Sequence, residues 1–306
     1  METVFGFLAI LFWSTTIGFS RGLTEALGPV TAGAAIFLIS GVVGCAGLVL
    51  AGGGVRKVFL LPRPYLIGCG ALFVIYEFCL YLAIGLSASR QQVIEVGIIN
   101  YLWPGLTLAF SIPILKKRAR PWLVPGMLVA FAGVFLAMAQ GESFSWVSFL
   151  ARDRGSLIPY LLAFIGAICW GLYSNFSRRW AANARGVGVP LFLLATGVLM
   201  ALVRMGFRES SQWDRGTVAV LIYVAVVPGL LAYVFWDLAM RRGRMILVAS
   251  FSYLTPLLST LVSCLYLRVW PGRGLWVACV LVIGGALICK LSVEEGEQRA
   301  APSPSR

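Results

Sequence analysis

The chain has 306 residues, 59% of them hydrophobic and only 12% charged, against roughly 25% charged in an average soluble domain, which argues against a soluble globule. It contains no histidine, and its seven cysteines form no CxxC pair, so zinc, haem and histidine-based catalysis are excluded and no metal or cofactor is expected. The formal charge of +13 sits in short polar stretches between apolar runs, the pattern of membrane topology rather than of nucleic-acid binding.

A bilayer crossing takes about 20 apolar residues, and runs of that kind recur along nearly the whole chain without the apolar/polar alternation of a membrane β-barrel. The spacing predicts ten of them. The first, at 3–20, lacks a basic leader and a small-residue cleavage site and reads as a retained span rather than a signal peptide. It carries Trp13 and ends in Phe19-Ser20-Arg21. The second, at 29–51, places Gly41, Gly44 and Gly47 at helical spacing, and small residues let helix backbones approach in lipid.

The third run, 64–87, carries Tyr76, Tyr81 and Glu77. A carboxylate at membrane depth is costly enough to be a functional candidate; Glu77 could hold a substrate ammonium, carry a proton or tie helices together. The fourth run, 93–115, opens with Glu95, within reach of Arg90, and contains NYLWPGL at 100–106 and a second proline at 113. Pro104 removes a backbone hydrogen bond and should kink the helix, freeing the Asn100 carbonyl beside Tyr101 and Trp103. The fifth run lies at 122–140.

The sixth run, 157–177, repeats the first. Phe164, Trp170, Phe176, Ser177 and Arg178 align with Phe7, Trp13, Phe19, Ser20 and Arg21 at an offset of 157, five identities in fifteen positions, beyond what apolar composition alone supplies. Tyr173 follows Trp170 on the same run. After the seventh run, 189–206, the eighth, 217–240, holds Tyr233, Trp236 and Asp237, the last four residues before Arg241 at ion-pairing spacing. The ninth, 245–267, contains SYLTPLL at 252–258, which matches NYLWPGL at an offset of 152 and supplies Ser252, Tyr253 and Pro256. Pro104 to Gly133 and Pro256 to Gly285 each span 29 residues, so the register persists into the tenth run, 274–291, with its Gly284-Gly285 pair. EEGEQRAAPSPSR then reads as a disordered tail.

These matches imply an all-α membrane protein of ten transmembrane helices in two five-helix halves, 1–148 and 149–292, followed by a cytoplasmic tail at 293–306. Five spans per half is an odd number, so the second half enters the membrane upside down relative to the first. The loops after runs 2, 4, 6 and 8 hold thirteen Lys/Arg and no acid, against nine Lys/Arg in the others, which puts both termini in the cytoplasm. Arg21 and Arg178 would then mark opposite faces, with Trp13 and Trp170 on opposite walls of a central cavity. Inverted halves and paired interrupted helices are a transporter signature, and a cavity of ring faces with one acid suits an apolar or aromatic molecule bearing a cationic group. Three isolated intramembrane acids without histidine do not make an enzyme.

Ten spans as two inverted repeats, a Trp shared by spans 1 and 6 and Tyr-Leu-x-Pro in spans 4 and 9 resemble the drug/metabolite transporter superfamily, in its EamA-type branch, and within it the bacterial aromatic amino acid exporters. The resemblance implies export of aromatic and other neutral amino acids by alternating access across the bacterial inner membrane. It implies a small-molecule substrate, no nucleic-acid partner and a monomer sufficient for function. The implied substrate site comprises Trp13, Tyr76, Glu77, Tyr81, Asn100, Tyr101, Trp103, Trp170, Tyr173, Ser252 and Tyr253, with Pro104 and Pro256 as hinges. Export of quaternary cations related to methyl viologen is the alternative within the same superfamily.

Overall fold

The computed structural model of the chain describes residues 1–50, 55–87, 96–97, 99–139, 157–184, 186–206, 208–267 and 273–293. In chain order α1 spans Glu2–Leu27, α2 Pro29–Leu50 and α3 Gly70–Gly85, the last entered through a π-helical turn at Tyr65–Cys69. α4 is Trp103–Leu115, α5 Leu123–Ala139, α6 Ile158–Ala181 and α7 Val189–Arg204. α8, Arg215–Val226, continues through a π-helical turn at Val227–Leu231 into α9, Ala232–Arg242. α10 is Met245–Phe251, α11 Leu254–Leu267 and α12 Arg273–Ser292. Among the described residues the only β pairing is an isolated bridge between Ala119 and Val293.

Four segments are long and apolar enough to cross a bilayer: Pro29–Leu50, Tyr65–Gly85, Ile158–Ala181 and Arg215–Arg242, accompanied by five shorter apolar helices. The described residues thus give an all-helical apolar fold with four clear spans, fewer than the ten apolar runs of the sequence. Part of the shortfall has a local cause. A turn at Tyr101 and Leu102 precedes α4, and a turn at Ser252 and Tyr253 separates α10 from α11. Each proline lies at the start of the segment after the break, Pro104 as the second residue of α4 and Pro256 as the third of α11, where a missing N–H costs least. The prolines therefore mark breaks rather than mid-helix kinks. The outer surface is apolar, with Leu50, Ile67 and Val280 each more than 70% exposed, a liability in water and a fit to acyl chains.

Close glycine contacts fix the packing of two helix pairs. A Cβ on Gly41 would lie 2.5 Å from the Leu194 backbone, and one on Gly197 2.5 Å from the Leu38 backbone. On α5 and α12, a Cβ on Gly133 would lie 2.7 Å from the Val282 backbone, and one on Gly285 would strike the Ala130 backbone. In both pairs the residue number rises on one helix as it falls on the other, so α2 packs antiparallel to α7 and α5 antiparallel to α12. α6 lies against α3 and α4, and α1 against α9 and α11. Gly47 and Gly284, small residues of the same runs, have nothing within 4 Å of the added Cβ, so only part of each glycine series is packing machinery.

This distinction is testable. Gly41→Ala and Gly197→Ala are each expected to cost about 1–3 kcal/mol through overpacking against backbone that cannot yield, whereas Gly47→Ala and Gly284→Ala should be neutral. Fluorescence-detected size exclusion of the four variants after graded heating reads the difference; equal survival of all four would refute the contact.

At the opposite end of the α1–α2 pair, the turn between the two helices passes through Gly28 at φ 85, a left-handed conformation that favours glycine. Glu209, from the segment between α7 and α8, accepts hydrogen bonds from the Val30 N–H (3.0 Å), the Thr31 N–H (2.8 Å) and the Thr31 hydroxyl (2.7 Å). The carboxylate thereby satisfies free donors at the N-terminus of α2 and sits at the positive end of its dipole. Arg204 braces it, 3.5 Å from the carboxylate, and also donates to the Thr31 hydroxyl.

Candidate functional site

Four indoles from four helices meet at the centre of the molecule. Trp13 of α1, Trp103 of α4, Trp170 of α6 and Trp236 of α9 contact one another in all six pairings, with ring centroids 5.2 to 6.4 Å apart. Trp103 reaches this point because the break before α4 places it at a helix start. Most of the pairs are edge-to-face or tilted, the arrangements aromatic quadrupoles prefer. Trp13 and Trp170 touch at 5.7 Å instead of facing each other across an open space. Around them, Tyr76 packs on Trp170 at 4.7 Å, Tyr173 on Trp170 at 5.1 Å, and Phe73 on Tyr233 at 5.1 Å.

Below this cluster the ends of α6 and α9 are tied by buried polar groups. The Tyr173 hydroxyl donates to Asp237 Oδ1 at 3.0 Å, and Arg241 Nη1 lies 3.1 Å from Asp237 Oδ2, with both charged side chains fully buried. Arg241 also donates to the carbonyls of Ala181 (2.9 Å), Gly186 (2.9 Å) and Ala184 (2.7 Å), and its guanidinium stacks 5.1 Å above the Tyr65 ring. Arg178 donates to the Met240 and Gly243 carbonyls. The Asp237–Arg241 pairing expected from their spacing is therefore present. The Trp236 indole N–H donates to the Ser174 hydroxyl at 3.2 Å, and the Asn175 amide joins α6 to α4 through the Thr107 carbonyl at 2.9 Å.

Glu77 is different. It is 1% exposed, and neither of its oxygens has a hydrogen-bond partner. The Tyr233 hydroxyl lies near it, short of good hydrogen-bonding geometry. Asn100, 8% exposed, lies against the Tyr76 hydroxyl and keeps an unpartnered Oδ1. The Trp13 indole N–H is also buried without a partner.

Five of the sequence-predicted site residues, Trp13, Tyr76, Trp103, Trp170 and Tyr173, converge in one core, with Tyr81 packed beside it on Phe37 at 5.4 Å. Tyr101 and Tyr253 belong to a second core with Leu108 and Leu123. The Tyr253 hydroxyl is close enough to Gly105 that a Cβ there would lie 2.6 Å from it. The carbonyl of Ser252 accepts the Thr255 N–H at 3.0 Å, and its hydroxyl donates to the Ala249 carbonyl at 2.6 Å. Glu95 and Arg90 lie outside the described residues, as does the side chain of Arg21. Three cluster members were not in the expected set. Tyr233 and Trp236 had a signal, as polar-tipped aromatics beside an intramembrane acid. Phe73 had only its position four residues before Glu77, on the same helix face.

Apolar helices sheathed in lipid-facing side chains around a buried aromatic and polar centre define a helical membrane protein. The chain belongs to the EamA-like transporter family, whose signature matches residues 1–139 and 157–290. The aromatic amino acid exporter YddG of Escherichia coli (strain K12) is 33% identical over 295 residues, 96% of this chain and 98% of its own length. The aromatic amino acid exporter YddG of Ancylobacter novellus is 35% identical over 293 residues, 94% of this chain and 96% of its own. A solved crystal structure superposes with a TM-score of 0.79 at 30% identity, over 95% of this chain and 97% of that one.

Proposed function

We propose that the chain exports aromatic and other neutral amino acids from the cytoplasm by alternating access around the tryptophan cluster. The observation that carries this is the mutual contact of four indoles from α1, α4, α6 and α9: a centre made of ring faces offers stacking to a flat apolar side chain. The names of the relatives point to the same substrate class.

The proposal includes ten spans in two inverted halves, 1–148 and 149–292, a tail at 293–306, both termini in the cytoplasm, and residence in the bacterial inner membrane. The packing supports inversion. Gly41 and Leu38 sit 156 residues before Gly197 and Leu194, and each glycine touches the other pair's backbone. Gly133 and Ala130 stand in the same reciprocal relation to Gly285 and Val282 at an offset of 152. Contacts in which i meets j′ while j meets i′ are the mark of a two-fold axis. Because the paired helices are antiparallel, that axis lies in the membrane plane. Two such halves can exchange conformations around a fixed centre, and the indole contacts must part to admit a substrate. With both halves in one chain a monomer suffices.

The test is flux of labelled phenylalanine or tryptophan in proteoliposomes containing the purified chain. Saturable flux with counterflow is expected, and flux no greater than in empty vesicles would sink the substrate claim. The unpaired Glu77 carboxylate favours a second reading, export of quaternary cations; resistance to methyl viologen on expression, with no amino acid flux, would select it.

A further inference from the structure

Glu77 brings two unpartnered carboxyl oxygens to one edge of the tryptophan cluster, and we infer that it binds the ammonium group of the transported molecule. The inference rests on the proposed export function and deepens it by naming the group that selects among aromatic substrates.

Glu77 lies one helical turn from Phe73, which contacts Trp170, Tyr173 and Tyr233, so side chains of this α3 face point at the cluster. Tyr233 links the two features, its ring 5.3 Å from Trp13 and its hydroxyl near Glu77. A carboxylate with both oxygens desolvated and unpaired is among the most expensive groups a core can hold, and in a bilayer interior such a group marks a functional site by default. No ion pair among the described residues includes it; Asp237, the other buried acid, has Arg241. The contrast separates the two acids: Asp237 is satisfied by the protein, Glu77 is not.

What would satisfy it is set by donor and acceptor counting. Once ionised, its two oxygens can only accept, and the Tyr233 hydroxyl near them supplies at most one donor. An ammonium brings three donors and a positive charge. It would be held in a site already walled by aromatic rings, where cation–π attraction adds to the ion pair. The Trp13 indole N–H, buried and unpartnered, is left as a donor for a substrate carboxylate. The arrangement fits a primary amine on an aromatic side chain and disfavours an aromatic acid lacking the amine, whose carboxylate would meet Glu77.

Two measurements on the purified full-length chain decide the point. Intrinsic tryptophan fluorescence is titrated with phenethylamine and with 3-phenylpropionate, and both are tested as competitors of labelled phenylalanine flux. Phenethylamine is expected to bind at least tenfold more tightly than 3-phenylpropionate. In Glu77→Gln that preference should shrink by roughly tenfold to a hundredfold, the size of one charged hydrogen-bonded contact, and Glu77→Asp should recover part of it. Equal binding of the two probes by the unaltered protein, or binding of neither, overturns the inference whatever the variants do. So does a Glu77→Gln protein that keeps its amine preference, including one that loses only its dependence on a pH gradient, the behaviour of a proton carrier. Amine-selective binding without phenylalanine flux would instead leave this site standing and remove the amino acid reading.

Discussion

Arg241→Ala is expected to lose most of the folded protein. The guanidinium is fully buried and donates to four acceptors: the carboxylate of Asp237 and the carbonyls of Ala181, Gly186 and Ala184. Removing it strands a buried carboxylate with only the Tyr173 hydroxyl to answer it. Breaking a buried ion pair from one side costs about 3–5 kcal/mol, a large part of the 5–15 kcal/mol that holds a typical domain together, and the three carbonyls add to it. Arg241→Lys should rescue little, because a single ammonium cannot fan out to a carboxylate and three carbonyls as a planar fork does. Asp237→Asn in the Arg241→Ala background should recover part of the loss by removing the stranded charge. The readout is the monodisperse fraction in detergent after mild heating. An Arg241→Ala protein as heat-resistant as the parent would show that the network is ornament.

The same network shows what could be read from residues alone. The pairing of Asp237 with Arg241 was legible because both partners lie on one helix, where spacing fixes geometry. The three carbonyls that Arg241 also serves lie at the last residue of α6 and in the α6–α7 connection, some sixty positions away, and nothing in the local pattern announces them. That Trp13 and Trp170 share one centre was legible through the repeat; that they touch instead of facing each other across a cavity was not. Trp236 and Phe73 have no counterpart in that repeat, so their places in the cluster come from packing. The breaks at 101–102 and 252–253 place Tyr101 and Tyr253 in a second core, a position that a mid-helix kink would not have predicted. Glu77 stood out as an acid in an apolar run; that its oxygens find no partner is a fact only of three dimensions.

Trp13→Ala and Trp170→Ala are expected to fail in different ways, although the sequence makes them equivalent. Trp170 is 2% exposed and its ring meets seven others, those of Trp13, Phe73, Tyr76, Trp103, Tyr173, Tyr233 and Trp236. Truncating so enclosed an indole costs about 3–5 kcal/mol, so Trp170→Ala should reduce folded yield before transport can be measured, and Trp170→Phe should restore much of it. Trp13 is only half-buried, meets Trp170 and three of those rings, and has an indole N–H without a partner. Trp13→Ala should therefore insert and fold near the parent level while losing flux of labelled phenylalanine. The difference is written in the neighbours: Phe73 and Tyr173 pack on Trp170, whereas Phe73 has no counterpart in the repeat and the residue that matches Tyr173 beside Trp13 is Thr16. A Trp13→Ala protein that still transports phenylalanine would remove Trp13 from the transport path.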